Sequence, residues 1–161
     1  KQEGSNNEET CSALAAVFVL AMACGGASTP DAVVKKAIDA MENKDGNALI
    51  SCLSAEAVEE LNAQVEEMKA APEESAAFMA MMGIEVTAEE IENMSAGDFI
   101  TKLFESPMMA DELPDFSTIE IGETVIDGET ATVEVTLEGE TDTVELVLED
   151  GQWKLGDMMG M

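Results

Sequence analysis

The 161-residue chain contains no histidine, no arginine and no tyrosine. Without histidine, neither Ser-His-Asp nor Cys-His nucleophilic catalysis can be assembled, and His-based metal centres are excluded with them. Without tyrosine, the carboxylate-plus-tyrosine oxyanion arrangement of some isomerases is excluded as well. Positive charge is scarce: seven lysines face 35 acidic residues, for a formal net charge of -28. A surface of that sign repels phosphates, which argues against nucleic acid as a partner and against direct docking on anionic headgroups. Most of the carboxylates read as solvated surface that confers solubility. Cysteine is limited to Cys11, Cys24 and Cys52, too few for a disulfide-built secreted domain. Cys52, alone in the body of the chain, reads as a small buried hydrophobe on a helix, with no His or Arg to lower its pKa.

What is present begins with a hydrophobic run. Ala13 to Ala23 (ALAAVFVLAMA) is uninterrupted by charge and leads directly into Cys24-Gly25-Gly26. A bilayer span needs about 20 apolar residues, so eleven suit a signal-peptide core better than a transmembrane helix. Small Ala21 and Ala23 before Cys24, with Leu20 upstream and two glycines after, resemble the export signal of a bacterial lipoprotein. In that pattern a Leu commonly sits three residues before the Cys, where this chain has Ala21. Lys1 to Thr10 also departs from it, carrying one Lys against Glu3, Glu8 and Glu9 where a basic segment is usual. The alternative is an acidic tail followed by a short buried helix. The resemblance implies cleavage before Cys24, a diacylglycerol on its sulfur and an acyl chain on its amine. At about 0.8 kcal/mol per buried CH2, several chains give stable membrane anchoring. The expected organisation is an export signal over 1–23, a lipidated Cys24 with linker over 24–28, and a single α+β domain over 29–161.

Within that domain, Thr29-Pro30-Asp31 opens a helix with a capping hydroxyl, Pro at the first position and an early acid. Val34, Ile38 and Met41, with Val33 and Ala37 beside them, form its core stripe. Asp45-Gly46 breaks the pattern, Ala48 to Leu53 makes a short apolar helix or turn, and Ser54 caps a helix carrying Val58, Leu61, Val65 and Met68. Pro72 ends that helix, and the next, Glu73 to Met82, closes on Gly83. Thr87-Ala88-Glu89-Glu90 matches the capping box, and Ser95-Ala96-Gly97-Asp98 is a weaker relative of it. The helix after it carries Phe99, Ile100, Leu103 and Phe104 and stops near Ser106-Pro107. Met108 to Asp115 reads as a loop.

From Phe116 the apolar period becomes two. Ile119 and Ile121, then Val133, Val135 and Leu137, then Val144, Leu146 and Leu148, and finally Trp153 and Leu155 alternate along four strands. Asp127-Gly128, Glu138-Gly139 and Asp150-Gly151 stand at hairpin positions. The expectation is a four-stranded antiparallel meander covered by the preceding helices.

Thr29-Pro30 to Lys44 with Leu49 to Ser54, Ile126-Asp127-Gly128-Glu129 leading into Ala131 to Leu137, and Leu146 to Leu155 with its Asp150-Gly151-Gln152-Trp153-Lys154 ending cover roughly half the chain. Together they resemble small bacterial lipoproteins of unknown function with a nuclear-transport-factor-2-like, cystatin-like domain, close to the domain-of-unknown-function 4878 group. The resemblance implies a curved sheet wrapped around N-terminal helices, enclosing a conical cavity. Pro72 to Ser106 is then an extra helical insertion that covers or fills the cone. It holds Met79, Met81, Met82 and Met94, with Met108 and Met109 just beyond; Met158, Met159 and Met161 end the chain. These methionines read as gap-fillers in a core poor in aromatics, as an adaptable apolar groove, or as soft Cu(I) ligands. Asn43, Asp45 and Gly46 match three EF-hand loop positions, but Met41 and Cys52 occupy the first and twelfth, so the phrase reads as a turn.

No catalytic residues, metal ligands or cofactor are assigned, and Cys24 is the one site residue, for lipid attachment. The expected role is a lipid-anchored cell-envelope binding module that faces the periplasm or exterior, is not an enzyme, and holds a small apolar ligand or an exported protein segment. Two alternatives stay open: a structural lipoprotein forming a homodimer through its sheet or joining an envelope protein partner, and an acid/base enzyme using carboxylates in the cone.

Overall fold

Pro30 fixes φ for a first helical turn, and the apolar spacing of the residues after it carries the helix to Glu42, forming α1 (Pro30–Glu42). The structure, a computed structural model, describes residues 28–110 and 113–156. The export segment 1–23, Cys24 and the terminal Met158, Met159 and Met161 lie outside the described residues. Val33, Val34, Ala37, Ile38 and Ala40 of α1 are buried, as the stripe requires, and Met41 is half-buried. Thr29 adopts N-cap geometry, but its hydroxyl makes no capping bond; proline at N1 has already removed one orphan donor.

The first helix break falls earlier than Asp45-Gly46. Lys44 takes a left-handed φ of 55°, its N–H bonds to the Met41 carbonyl at 3.0 Å and that of Asp45 to the Ala40 carbonyl at 2.8 Å, a Schellman closure without glycine. Asp45 instead starts α2 (Gly46–Ile50), its carboxylate accepting from Ala48 N–H at 2.9 Å. Cys52 is buried, as expected, but in the turn after α2 rather than on a helix. Ser54 caps α3 (Ala55–Ala70) through Ala57 N–H at 3.2 Å. A single residue, Ala71, joins it to α4 (Pro72–Met81). Gly83, at φ 77°, closes α4, with Ile84 N–H bonded to the Met79 carbonyl at 2.9 Å. Both capping boxes form in full, starting α5 (Ala88–Glu92) and α6 (Ala96–Glu105). The expected loop, Met108 to Asp115, overlaps a single helical turn, α7 (Pro107–Ala110), and Phe116–Thr118, where period two was expected to begin, is instead a 3-10 turn capped by Asp115.

Four antiparallel strands complete the described chain in the order β1 (Glu120–Asp127), β2 (Thr130–Leu137), β3 (Glu140–Glu149) and β4 (Gln152–Leu155). The protein is therefore α+β, with an open rather than closed sheet. Glu138-Gly139 and Asp150-Gly151 turn two of the hairpins with φ > 0 at both residues, which is the type I′ requirement. The remaining hairpin is shifted by one residue, because Asp127 pairs with Thr130 and leaves Gly128-Glu129 as the turn.

Register fixes the faces. Ala131 pairs with Leu146 and Leu146 with Leu155, while Val133 pairs with Val144, and all five side chains are buried. Helix α1 covers this face. A break in register between Ile121 and Thr124 brings Ile126 opposite buried Ala131, yet at the end of β1 it remains exposed. The outer face carries Thr132, Glu134, Thr136, Thr143 and Glu145, with Thr136 and Thr141 hydroxyls bonded across the hairpin at 2.9 Å. At the other edge β4 is covered: Leu155 N–H bonds to the Cys52 carbonyl and Ser54 N–H to the Leu155 carbonyl, both at 2.8 Å.

The helical insertion does not fill the space under the sheet. Helix α6 packs chiefly on α2 and α3, and α4 on α3 and α5, so the insertion forms a layer on the far side of the early helices. Gly46 and Gly97 set how closely α2 approaches α6. A Cβ on Gly46 would fall on the Gly97 carbonyl oxygen, and one on Gly97 on the Asn47 side chain. The Gly46 N–H donates to Thr101 Oγ1 at 3.0 Å, and that hydroxyl donates to the Gly97 carbonyl at 2.9 Å.

Candidate functional site

The one-residue link at Ala71 folds α4 back beside α3 and creates a groove. Gln64, Glu67 and Met68 recur at three- and four-residue steps and so share one face of α3, with Ala71 at the link beyond them. Glu74, Ser75 and Phe78 face them from α4, and Phe99 of α6 closes the floor, around a cavity of about 460 Å³. Ser75 fixes the corner by donating its hydroxyl at 3.1 Å to the Met68 carbonyl, which also accepts from the Ala71 N–H at 3.2 Å. Phe78 is 58% exposed, and Met81, one turn on, is 80% exposed. The charged groups lining the groove, Glu67 and Glu74, are both negative.

Two large apolar side chains in solvent on one short helix call for a reason. Ala76 to Met82 (AAFMAMM) is apolar throughout, so α4 cannot bury all of it against one neighbour. Met79 takes the core position at 1% exposure, leaving Phe78 and Met81 outside. An uninterrupted apolar turn was the available sequence signal for this groove.

Among the described residues the methionines do not gather into one site. Met79 and Met94 are core, Met68 and Met82 half-buried, and Met81 exposed. Asn43, Asp45 and Gly46 do not form a calcium loop: the Asn43 amide bonds back to the Asp39 carbonyl at 2.6 Å and Asp45 caps α2. Among the described residues no group of three or more His, Cys, Asp or Glu is placed to hold a metal. The Cys52 thiol is enclosed and donates to the Ala48 carbonyl at 3.4 Å.

Three carboxylates titrate below their ordinary values. Thr87 holds the Glu90 carboxyl down through its backbone N–H and then its hydroxyl, with a smaller contribution from Lys102. The Ser95 hydroxyl and then its N–H do the same for Asp98, as do those of Ser117 for Asp115. All three are turn or cap acceptors, and their shift is opposite to the one that prepares a general acid at neutral pH.

Compared with family models, curated proteins and solved structures, the chain matches none. Function therefore rests on these residues. Among the described residues no helix is long and apolar enough to cross a membrane.

Proposed function

We propose that the protein is a non-catalytic binding module of the bacterial cell envelope, anchored by acyl chains on Cys24, whose α3–α4–α6 groove receives an apolar segment of a positively charged exported protein. The exposure of Phe78 above the groove carries this reading. Its charge favours a cationic occupant: Glu67 and Glu74 line the groove of a chain with net charge -28. Phe78, Met68 and Phe99 supply adaptable apolar contact, and the carboxylates select for Lys or Arg beside the inserted side chains. The Ala13–Ala23 run ending at Cys24, and the resemblance to lipoproteins with a nuclear-transport-factor-2-like domain, support the envelope location.

A homodimer through the sheet receives less support, because the outer face offers mainly threonines and glutamates, with Val125 exposed and Val147 half-buried among them, and two such faces would bring like charges together. An acid/base enzyme lacks a pair of converging carboxylates with raised pKa values among those displaced.

The test uses a fluorescein-labelled amphipathic peptide of Leu and Lys, with a Leu and Glu peptide as its charge-reversed control. The full chain binds the first and not the second. Phe78→Asp weakens binding by more than about tenfold, or 1.4 kcal/mol, and E67Q/E74Q flattens its salt dependence. Equal affinity of wild type and Phe78→Asp removes the groove from the account. Separately, intact mass of protein from native membranes reads the anchor: a chain starting at Cys24 with acyl mass supports it, and an unmodified chain retaining residues 1–23 refutes it.

A further inference from the structure

Two of the seven lysines converge on Ser51, away from the acidic groove. Lys36 of α1 donates its Nζ to Ser51 Oγ at 2.8 Å, and Lys154 of β4 donates to the Ser51 carbonyl at 2.7 Å. A pocket of about 230 Å³ opens beside them, walled by Trp153 and bordered by Gln152 and Ser28. Among the described residues neither ammonium has a carboxylate within 4.0 Å; the ion pairs there are Lys69–Glu66 and Lys102–Glu90. Lys35 and Lys44 are also without such a pair among the described residues, so what sets Lys36 and Lys154 apart is their convergence on one residue beside a pocket. Glu149, which pairs with Gln152 across the hairpin, is directed elsewhere: its two oxygens accept from Ala55 N–H at 3.2 and 2.9 Å.

Each ammonium has three donors and commits one to Ser51, so donors remain for a ligand with several acceptor oxygens. Repulsion from the rest of the protein does not forbid this. At physiological ionic strength charges beyond about 8 Å are largely screened, whereas the two ammoniums act at contact distance. We propose that this pocket binds a phosphoryl group, with Lys36 and Lys154 as its charge partners and Trp153 as its wall.

Two sources share that chemistry: a soluble phosphate monoester and the headgroup of a membrane phospholipid. The second source rests on the Cys24 anchor proposed above. Ser28 is four residues from Cys24, a reach of at most about 14 Å, so acylation there would hold the pocket over the headgroup layer. Binding would then be intramolecular in effect and would succeed at an affinity too weak for free ligand. The repulsion expected from net charge alone would give way to a local contact.

Trp153 is the only tryptophan, and the chain has no tyrosine, so its emission reports this pocket. The full chain carrying Cys24→Ser is titrated with inorganic phosphate and with glycerol phosphate, and the native, Cys24-bearing protein is reconstituted in phosphatidylcholine vesicles lacking or containing phosphatidylglycerol. We expect a saturable change in Trp153 emission that K36Q/K154Q weakens at least tenfold, a loss of about 1.4 kcal/mol, and that K35Q, outside the pocket on the same helix, leaves unchanged. Gln retains a donor for Ser51, and the single K36Q on the exposed side of α1 gives the same reading should the double variant fold poorly. Saturation by the soluble anions assigns a free phosphate. A response confined to phosphatidylglycerol vesicles assigns the headgroup. No saturable response to any of the probes, or one that K36Q/K154Q retains or K35Q lowers equally, overturns the proposal. The soluble-anion result does not depend on Cys24, so the pocket and the anchor can fail separately.

Discussion

Gly46→Ala tests the close approach of α2 to α6. Gly46 sits at the start of α2 without a positive φ, so on conformational grounds alone alanine would be favoured there by about 0.5–1 kcal/mol. Packing reverses the sign. The new Cβ would meet the Gly97 carbonyl oxygen, with Thr101 N at 2.7 Å and Thr101 Oγ1 at 2.8 Å, and two of these three atoms are backbone. Backbone cannot rotate away, so α2 and α6 must separate. Overpacking of this kind costs about 1–3 kcal/mol, and stretching the 3.0 Å bond from Gly46 N–H to Thr101 Oγ1 adds about 1 kcal/mol. Set against the conformational gain, the net loss is about 2 kcal/mol, or a melting temperature lower by about 8 °C for a domain of this size. Far-ultraviolet circular dichroism melts of wild type, G46A and G156A read it directly. Gly156 has only ordinary contacts at 3.6 Å and beyond, so its alanine variant should melt with wild type. Gly97→Ala should also destabilise, but because its nearest obstacle is the Asn47 side chain, adding Asn47→Ala should recover part of the loss. A G46A variant that melts at or above wild type refutes the packing argument.

Lys44→Gly should raise stability by about 0.5–1 kcal/mol, since glycine adopts the left-handed φ of 55° without steric penalty; a urea titration with unchanged slope checks it. The carboxyls of Glu90, Asp98 and Asp115 titrate lower in the folded chain than in the unfolded one, so the folded state binds fewer protons there. Their contribution is complete above the ordinary values of 4.5 and 3.8 and fades as pH falls through the lower folded values. Thermal stability should therefore hold from neutral pH into mild acid and fall as pH drops through those lower folded values. D98N should soften the acid limb, and an unaltered limb in D98N would remove Asp98 from that account.

Much of the fold was legible because it followed from side-chain period and end chemistry. Helical spacing placed Val33, Val34, Ala37 and Ile38 in the core, and period two placed Val133, Val144, Leu146 and Leu155 there. At the end of α1 a backbone device stands without its usual residue. Lys44 closes α1 in the left-handed region that normally announces itself as glycine, so the break was expected at Asp45-Gly46. Gly46 in turn owes its identity to Gly97, far away in sequence, and no local pattern encodes a contact between them. Ser95 to Asp98 looked like a weak capping box, yet Asp98 reaches the Ser95 N–H at 3.0 Å and completes it.

The two candidate sites differ in the same way. The groove left a trace in sequence, because Ala76 to Met82 has more apolar surface than one short helix can bury, and the excess had to face outward. The lysine pocket left none: Lys36, Ser51 and Lys154 come from α1, the end of α2 and the last strand, and only the pairing of β4 with residues 52–54 brings them together. That pairing also explains why the Trp153-Lys154 ending matters. Leu155 must point inward to meet Leu146 and Leu53, so Lys154 points away and turns back to Ser51, while Trp153 packs at the mouth of the pocket. Strand alternation thus commits Lys154 to the outer side as firmly as it commits Leu155 to the core, and the last strand of the sheet also carries a cation to the pocket that Ser28 borders.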